Sequence, residues 1–432
     1  MTVCLISVEI TKVRNLIFLI VFAAGSLAAQ PPARQPADGV TIDQAVQEAV
    51  DHNLDLLAER YNLSVADARI ATARLRPNPV VSAAVDYLAF LGGFTLDNNA
   101  GPTEYNLRTD FVLERGGKRG SRIAVAQGAK EVAQLQLQNT IRTLALDVRN
   151  AFVDVLQAKD NLQLARDNLA AFQSIVEVNQ ARVRAGDLAK VELTRTQVAA
   201  LQFQSAVRQA EARLSQARYK LETLMGRSIP SATFDVAGEL RRDAAPSTLD
   251  SVQSEALEMR PDLLALRRDQ ARSQAELRSQ IAQGKVDYTV GTEYHRQFYN
   301  GHGNALGVYF SAPLAVFNRN QGEIERARRE AQQAEARIKA LEAGIQNEVR
   351  TAWVQYSTSR ALLEEIDRDL LGQARDVRDT MEYSYKRGEA SLVEFLDAQR
   401  AFNDARQSYN DACADYARSL YAMDAIAGGG AK

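Results

Sequence analysis

Glu394 and Asp397 are the acidic side chains of this sequence whose type and spacing could act on passing ions. They follow Gly388 in the stretch YKRGEASLVEFLDAQ, residues 385–399. A separation of three residues places both carboxylates on one face of a helix. Such a pair repels anions and attracts cations where it lines a narrow path. Taken alone, however, the spacing is more typical of a solvated helix face.

His295, His302 and Glu293 form a second group with possible chemistry, in or next to the stretch YHRQFYNGHG. Imidazole and carboxylate groups bind metals, but a Gly- and Asn-rich segment predicts an exposed hairpin loop with solvated histidines. No tract is rich in Met or Cys. We therefore expect no metal site.

The sequence also contains no Ser-His-Asp set, P-loop or dinucleotide fingerprint. We expect neither an enzyme nor a bound cofactor. The 432 residues are 25% charged and carry a formal net charge of −2, with acidic and basic residues mixed along the chain. No basic surface is indicated, so nucleic acid is not an expected partner.

The first 29 residues have the order of a secretory signal peptide. Lys12 and Arg14 precede the apolar run NLIFLIVFAAGSLAAQ, and small residues favour cleavage after Ala28 or Ala29. Export would leave Cys413 as the only cysteine, so disulfides are not expected to hold the fold.

The remaining chain is internally duplicated. TIDQAVQEAVDHNLDLLAER, from Thr41, matches TLDSVQSEALEMRPDLLALR, from Thr248, and Gly186 matches Gly388. We predict a linker at 30–40, a first repeat at 41–228, a second linker at 229–246, a second repeat at 247–428 and a tail at 429–432. Each repeat is expected to contain a helix, two strands, a very long helix, a glycine turn and a returning helix.

Apolar residues spaced alternately by four and three predict that the long helices form coiled coils. The predicted helices cover 43–76, 120–185 and 189–225 in the first repeat, and 250–283, 322–387 and 391–427 in the second. A helix of about 66 residues is about 100 Å long, nearly twice the returning helix. We therefore expect the two shorter helices of each repeat to stack end to end along the long one.

Four segments alternate between apolar and polar residues: about 80–91, 104–114, 286–296 and 304–314. About ten residues per strand suits a tilted strand that crosses a membrane, although alternation alone fits a half-exposed soluble sheet equally well. In lipid, four strands with open edges are not viable, so several chains would have to pool their strands.

These features together resemble the TolC family of outer-membrane efflux channels. The resemblance rests on the paired helix openings, RPNP at 76–79, ERGGKRG at 114–120, the two glycine turns and the C-terminal helix. It implies a mostly α-helical, duplicated fold in a homotrimer, with a twelve-stranded β-barrel in outer-membrane lipid and a helical coiled-coil barrel in the periplasm. A periplasmic adaptor protein and an inner-membrane transporter are the implied partners.

The resemblance also assigns roles to residues near the glycine turns. It implies that Glu394 and Asp397 form the narrowest rings of the pore, and that Tyr385 and Glu192 make polar contacts that hold the tips closed. A basic residue found in some members is Ala390 here, so the closing contacts are expected to differ. The implied adaptor-docking tips comprise Gly186, Asp187, Leu188, Gly388, Glu389 and Ala390.

Two alternatives to an exit duct for a tripartite efflux pump remain at this stage. One is a secreted periplasmic coiled-coil scaffold without a channel, which would have no use for apolar strand faces. The other is an outer-membrane duct dedicated to heavy-metal efflux or type I protein secretion. The sequence does not distinguish these substrates.

Overall fold

The computed structural model describes residues 39–86, 103–229, 231, 234–243, 248–298 and 302–428. The first repeat contains α1 (Ile42–His52), α2 (Leu54–Arg74), β1 (Val80–Asp86), β2 (Glu104–Leu113), α3 (Lys118–Ala185) and α4 (Lys190–Leu224). The second contains α5 (Leu249–Met259), α6 (Pro261–Gln283), β3 (Tyr288–Phe298), β4 (His302–Ser311), α7 (Gln321–Glu365), a π-helical turn (Ile366–Leu370), α8 (Leu371–Arg387) and α9 (Leu392–Ile426). The predicted signal peptide, the far end of the first predicted strand and the tail lie outside the described residues.

Each repeat opens with two helices, where the sequence pattern predicts a single helix. Asn53 has an extended backbone (ψ 128°), and its side chain accepts a hydrogen bond from the Leu56 N–H at 3.0 Å, which caps α2. In the second repeat the break falls at Arg260 (ψ 124°), and Pro261 is the first residue of α6. Proline disfavours the helical backbone in the residue before it, which explains this break.

The short helices meet end to end at these breaks. The Asn53 side-chain amide donates to the carbonyl of Leu224, at the end of α4, at 3.0 Å. At the matching place, a Cβ on Gly428 would lie 3.1 Å from the Met259 side chain, at the end of α5. The predicted end-to-end stacking is therefore present, but only the second part of each opening helix, α2 or α6, takes part in it. Helix α1 instead packs on α3 through Ala45 and Ala49.

The predicted apolar stripe of α3 is buried or half-buried from Leu137 to Val176. In the second repeat the stripe is buried or half-buried from Ile345 to Ile366, but Leu370 is 46% exposed. A π-helical turn adds one residue to a helix and so rotates everything after it by about 100°. The turn accounts for the one-residue rise in the offset between the repeats, from 201 at Glu348 to 202 at Gly388.

The four strands form one antiparallel sheet in the order β1-β2-β3-β4. Strands β2 and β3 come from different repeats and pair along their lengths, from Glu104 opposite Gln297 to Leu113 opposite Tyr288. The helices follow the same lateral order: α2 and α4, then α3, then α6 and α9, then α7 and α8. The repeats are therefore joined side by side through β2–β3 and through α3, which packs on both α6 and α9.

The strand bounds differ slightly from prediction at the second hairpin. Strand β4 ends at Ser311, three residues before the predicted end, and its last partner is Thr289. Among the described helices, none combines the length and the apolar character that crossing a lipid bilayer requires.

Replacing Gly226 with Ala tests the end-to-end junction. Gly226 has φ of 80°, and an added Cβ would lie 2.3 Å from the carbonyl oxygen of His52. Strain of this kind costs more than about 1 kcal/mol, so we expect a lower midpoint of thermal unfolding by circular dichroism. Gly344→Ala is the matched control: nothing lies within 4 Å of that site in α7, and helix propensity predicts a gain of roughly 0.5–1 kcal/mol. Equal midpoints for the two variants would contradict the junction.

Candidate functional site

Both long helical stretches end at a glycine in the left-handed conformation. Gly186 has φ of 87° and Gly388 has φ of 82°. The next N–H groups, of Asp187 and Glu389, bond back to the carbonyls of Arg182 at 2.8 Å and Ser384 at 2.9 Å. This is the Schellman arrangement, in which glycine avoids a Cβ clash and allows the chain to reverse.

The two turns lie side by side. The Arg182 guanidinium bonds the carbonyl oxygen of Tyr385 at 3.4 Å, and it would lie 3.1 Å from a Cβ on Gly388. Of the predicted docking residues, Asp187 and Glu389 are exposed, whereas Leu188 and Ala390 are half-buried. Ala390 packs against the apolar side chains behind the turn.

These apolar side chains form a compact group that we call the tip cluster: Phe172, Ile175, Ala199, Tyr385, Leu392 and Phe395. With Phe203 of α4, which packs against the cluster, its aromatic rings connect all four helices near the turns. The ring centroids of Phe203 and Phe172 are 4.2 Å apart, those of Phe172 and Phe395 5.7 Å, and those of Phe395 and Tyr385 5.5 Å. Stacked pairs at such distances add about 0.5–1.5 kcal/mol each beyond area burial. The two hairpins of one chain are therefore packed together at their ends.

Asn179 adds a polar link inside this packing. Its side-chain amide donates to the Tyr385 hydroxyl at 2.6 Å and to the Thr196 hydroxyl at 2.9 Å, and it is fully buried. Thr196 in turn donates to the backbone carbonyl of Glu192 at 2.8 Å. Helices α3, α4 and α8 are joined in this way through the Asn179 amide nitrogen, while its buried amide oxygen has no hydrogen-bond partner among the described residues.

Tyr385 and Glu192, predicted as tip contacts, are thus linked through Asn179 and Thr196. The Glu192 side chain forms an ion pair with Arg195 at 2.8 Å, one turn along its own helix. Tyr385 is 4% exposed, so its hydroxyl belongs to the interior of the chain.

Glu394 and Asp397 lie on the exposed face of α9, while Phe395 and Ala398, which each follow one of them directly, are buried. The Glu394 carboxylate also caps its own helix, since it accepts from the Ser391 N–H and hydroxyl, both at 2.8 Å. These bonds favour the ionised form and lower the pKa of Glu394 below its ordinary value of 4.5. Asp397 lies 3.5 Å from Arg400.

Sequence reasoning missed Asn179, Thr196, Arg182 and Ser391. Two signals were available. Ser391 and Glu394 have the S-x-x-E spacing of a capping box, which the structure contains. Asn179 continues the four-three spacing of the apolar stripe as a polar residue, the kind of position that fixes how coiled coils align.

His295 lies in β3, within the bounds of the predicted strand, and His302 begins β4, where the sequence predicts an exposed hairpin loop. The His295 ring contacts the Asn106 side chain and lies 3.2 Å from a Glu104 carboxylate oxygen, on the polar face of the sheet. The described residues contain no group of three or more His, Cys, Asp or Glu side chains able to hold a metal ion.

Both outer helix pairs leave large apolar side chains exposed. We call α2 with α4 the first edge and α7 with α8 the second edge. The first edge exposes Leu54, Leu57, Tyr61, Val65, Val191, Val198, Leu201 and Tyr219. The second edge exposes Val354, Leu362, Leu370, Val377 and Tyr383. Apolar rows at two opposite edges indicate surfaces that another chain covers.

Comparison with known proteins gives the family. The sequence model of the family described as "Outer membrane efflux protein" matches residues 45–227 and again 252–429. The cobalt-zinc-cadmium resistance protein CzcC of Cupriavidus metallidurans is 26% identical over 368 residues, 85% of each chain. The pyoverdine export outer membrane protein OpmQ of Pseudomonas putida is 26% identical over 388 residues, 83% of this chain and 80% of that one.

Solved structures have the same fold. The outer-membrane channel OprN superimposes with a TM-score of 0.74 over 90% of both chains at 20% identity. CusC superimposes with a TM-score of 0.73 over 90% of this chain and 92% of that one, at 17% identity. Together with the two family matches, one for each repeat, this shows that the chain belongs to the outer membrane efflux protein family and has the fold of its channels.

Proposed function

We propose that three copies of this chain close into a ring that forms the exit duct of a tripartite efflux pump. The observation that carries the proposal is the shared lateral order of strands and helices, which ends on each side in an uncovered edge. The first edge of one copy meets the second edge of the next, and β1 pairs with β4 of the neighbour. Head-to-tail contacts of this kind close into a ring when the rotation from one copy to the next is a whole fraction of a full turn.

The sheet supports closure because its two faces differ. Tyr105, Leu107 and Phe111 lie on one face, and Asn106, Arg108 and Asp110 on the other. In a closed barrel of twelve strands the apolar face meets outer-membrane lipid and the polar face lines a water-filled lumen. The substrate then passes without chemical change, so the duct has no enzymatic role.

The helices continue this duct into the periplasm, with the glycine turns at the far end. The exposed Asp187 and Glu389 at these turns provide a polar surface for a periplasmic adaptor protein, which joins the duct to an inner-membrane transporter. Support comes from family membership and from relatives whose names describe export and resistance.

In the proposed trimer, Glu394 and Asp397 form two rings of three carboxylates around the narrowest passage at the tips. Their exposure, on a helix face that the chain itself leaves uncovered, supports this role. The hydrogen bonds that Glu394 accepts from Ser391 favour its charged form and lower its pKa. The link from Asn179 to Tyr385 holds the hairpins of one chain together and so favours the closed tip.

Leu201→Asp tests the ring. Leu201 is 63% exposed on the first edge, and a carboxylate buried there without a partner costs several kcal/mol per interface. We expect light scattering in detergent to report single chains where the wild type gives three. Gln407→Asp adds the same charge at an exposed polar position of α9, which lies between the two edges, and should keep three. A trimeric Leu201→Asp protein would contradict the assigned interface.

Tyr385→Phe tests the closed-tip link. Losing one hydrogen bond of about 0.5–1.5 kcal/mol should speed amide hydrogen exchange in the tip helices roughly 2- to 10-fold. Tyr383→Phe is the control, since Tyr383 lies on the same helix and is 54% exposed. Exchange as slow as in the wild type would show that the Asn179 bond does not hold the tip.

Glu394→Gln combined with Asp397→Asn tests the constriction. We expect the cation preference, measured as reversal potential across planar bilayers in a KCl gradient, to fall. The hydrogen bonds from Ser391 lower the pKa of Glu394, whereas neighbouring carboxylates in a ring oppose that shift, so the wild-type preference should weaken under acidic conditions as the rings become protonated.

The control variant combines Glu335→Gln with Glu364→Gln and removes the same charge from two exposed carboxylates of α7. It should leave the cation preference unchanged. An unaltered reversal potential in the tip variant would rule out a carboxylate constriction. A wild-type protein that never conducts would support the scaffold alternative.

A further inference from the structure

The loop between β4 and α7, residues 312–320, exposes three large apolar side chains. Leu314 is 86% exposed, Val316 61% and Phe317 91%. Single exposed apolar residues are common on soluble surfaces, but three within four positions form a patch that another phase or molecule covers. We call this segment the β4–α7 loop.

The patch lies directly after β4, whose own apolar face is exposed. Leu306, Val308 and Phe310 alternate along that face and are 77%, 83% and 62% exposed. The ladder ends at the pair Ser311 and Thr289, and the chain then turns, since the Val316 N–H donates to the Leu314 carbonyl at 2.9 Å. The exposed apolar side chains of the loop therefore lie just past the end of the strand that faces lipid in the proposed barrel.

The backbone of the loop is held in place while these side chains stay exposed. The Arg319 guanidinium donates to the carbonyl of Ala315 at 3.2 Å, and the Gln321 amide donates to that of Phe317 at 3.2 Å. Asn320 donates to the carbonyl of Gln280, in α6, at 2.8 Å. An ordered loop loses less conformational entropy when it binds a surface.

The alternative binding partner for this patch is a second copy of the chain. In the proposed ring, β4 pairs with β1 of a neighbour, and the chain before Val80 contains Pro77 and Pro79. Proline has no N–H, so that segment cannot extend the ladder beside the loop. The bilayer, which covers the apolar face of β4 in the proposed barrel, is therefore the better partner for the patch.

The first repeat has no equivalent patch. The connection between β2 and α3 consists of Glu114, Arg115, Gly116 and Gly117, none of which has an apolar side chain. Glu114 pairs with Arg122, and the Arg115 guanidinium lies 4.2 Å from the centre of the Tyr288 ring. The feature is therefore specific to one of the two strand-to-helix connections, and each chain carries it once.

We propose that the β4–α7 loop is a membrane anchor, which inserts Leu314, Val316 and Phe317 into the headgroup boundary of the periplasm-facing phospholipid leaflet. Aromatic side chains favour this depth, and the neighbouring Arg319 lies where lipid phosphates are found. The anchor rests on the proposed function, because it requires the strands to cross the membrane. It would fix how deeply the duct sits in the bilayer.

Fluorescence quenching tests the anchor in the full-length protein. Trp353 is the only tryptophan of the chain, so Phe317→Trp in a Trp353→Phe background provides a single probe. The trimer is reconstituted into vesicles of phosphatidylethanolamine and phosphatidylglycerol with spin labels near the headgroup or deep in the acyl chains. We expect stronger quenching by the shallow label than by the deep label.

Two further probes calibrate the depth. Val308→Trp, in the middle of β4, should be quenched more by the deep label, and Tyr383→Trp, near the glycine turns, by neither. An unquenched Phe317→Trp probe with the emission of an exposed indole would overturn the anchor. Blue-shifted but unquenched emission would also overturn it, and would assign the patch to a neighbouring copy.

Conductance of the same preparations separates this inference from the proposed function. A conducting Phe317→Trp protein without quenching disproves only the lipid contact. A wild-type protein that forms no channels contradicts the duct, and the anchor with it.

Discussion

The requirement that backbone N–H and C=O groups be hydrogen-bonded governs this structure. Of the strands that the structure describes, β1 and β4 each pair on one side only. A bilayer supplies no hydrogen bonds, so a sheet placed in it must close on itself. One chain lacks the strands to do so around a lumen. In the proposed ring, the exposed apolar rows on the outer helices, including Tyr61 and Val354, are the contacts between copies.

The helices of each repeat must also match one another in length. Helix α3 has 68 residues, whereas α2 has 21 and α4 has 35. Two short helices cover one long helix only if their ends meet without leaving polar groups unpaired, and the Asn53 amide on the Leu224 carbonyl does this. At the other end, the tip cluster and Asn179 join hairpins that come from different repeats. The chain thus behaves as one wall rather than two rods.

Features with local signals could be predicted from sequence: the duplication, the glycine turns, the four strands and the coiled-coil stripes. The breaks at Asn53 and Arg260 also had local signals, an asparagine cap and a following proline, but the longer apolar pattern concealed them. The π-helical turn had none, since Leu370 continues the stripe in sequence although it is exposed. The bond between Asn179 and Tyr385 joins residues 206 positions apart, and no local pattern reveals such a contact.

Disulfide cross-linking across the sheet edges tests the closed ring most directly. Ala83→Cys in β1 and Val308→Cys in β4 are combined with Cys413→Ser, which removes the buried native thiol. Within one chain the two positions are three strand spacings apart, about 14 Å, too far for a disulfide. Oxidised membranes should yield linked dimers and trimers with nothing larger on non-reducing gels. Monomers alone, or a ladder beyond three chains, would contradict a closed ring of three.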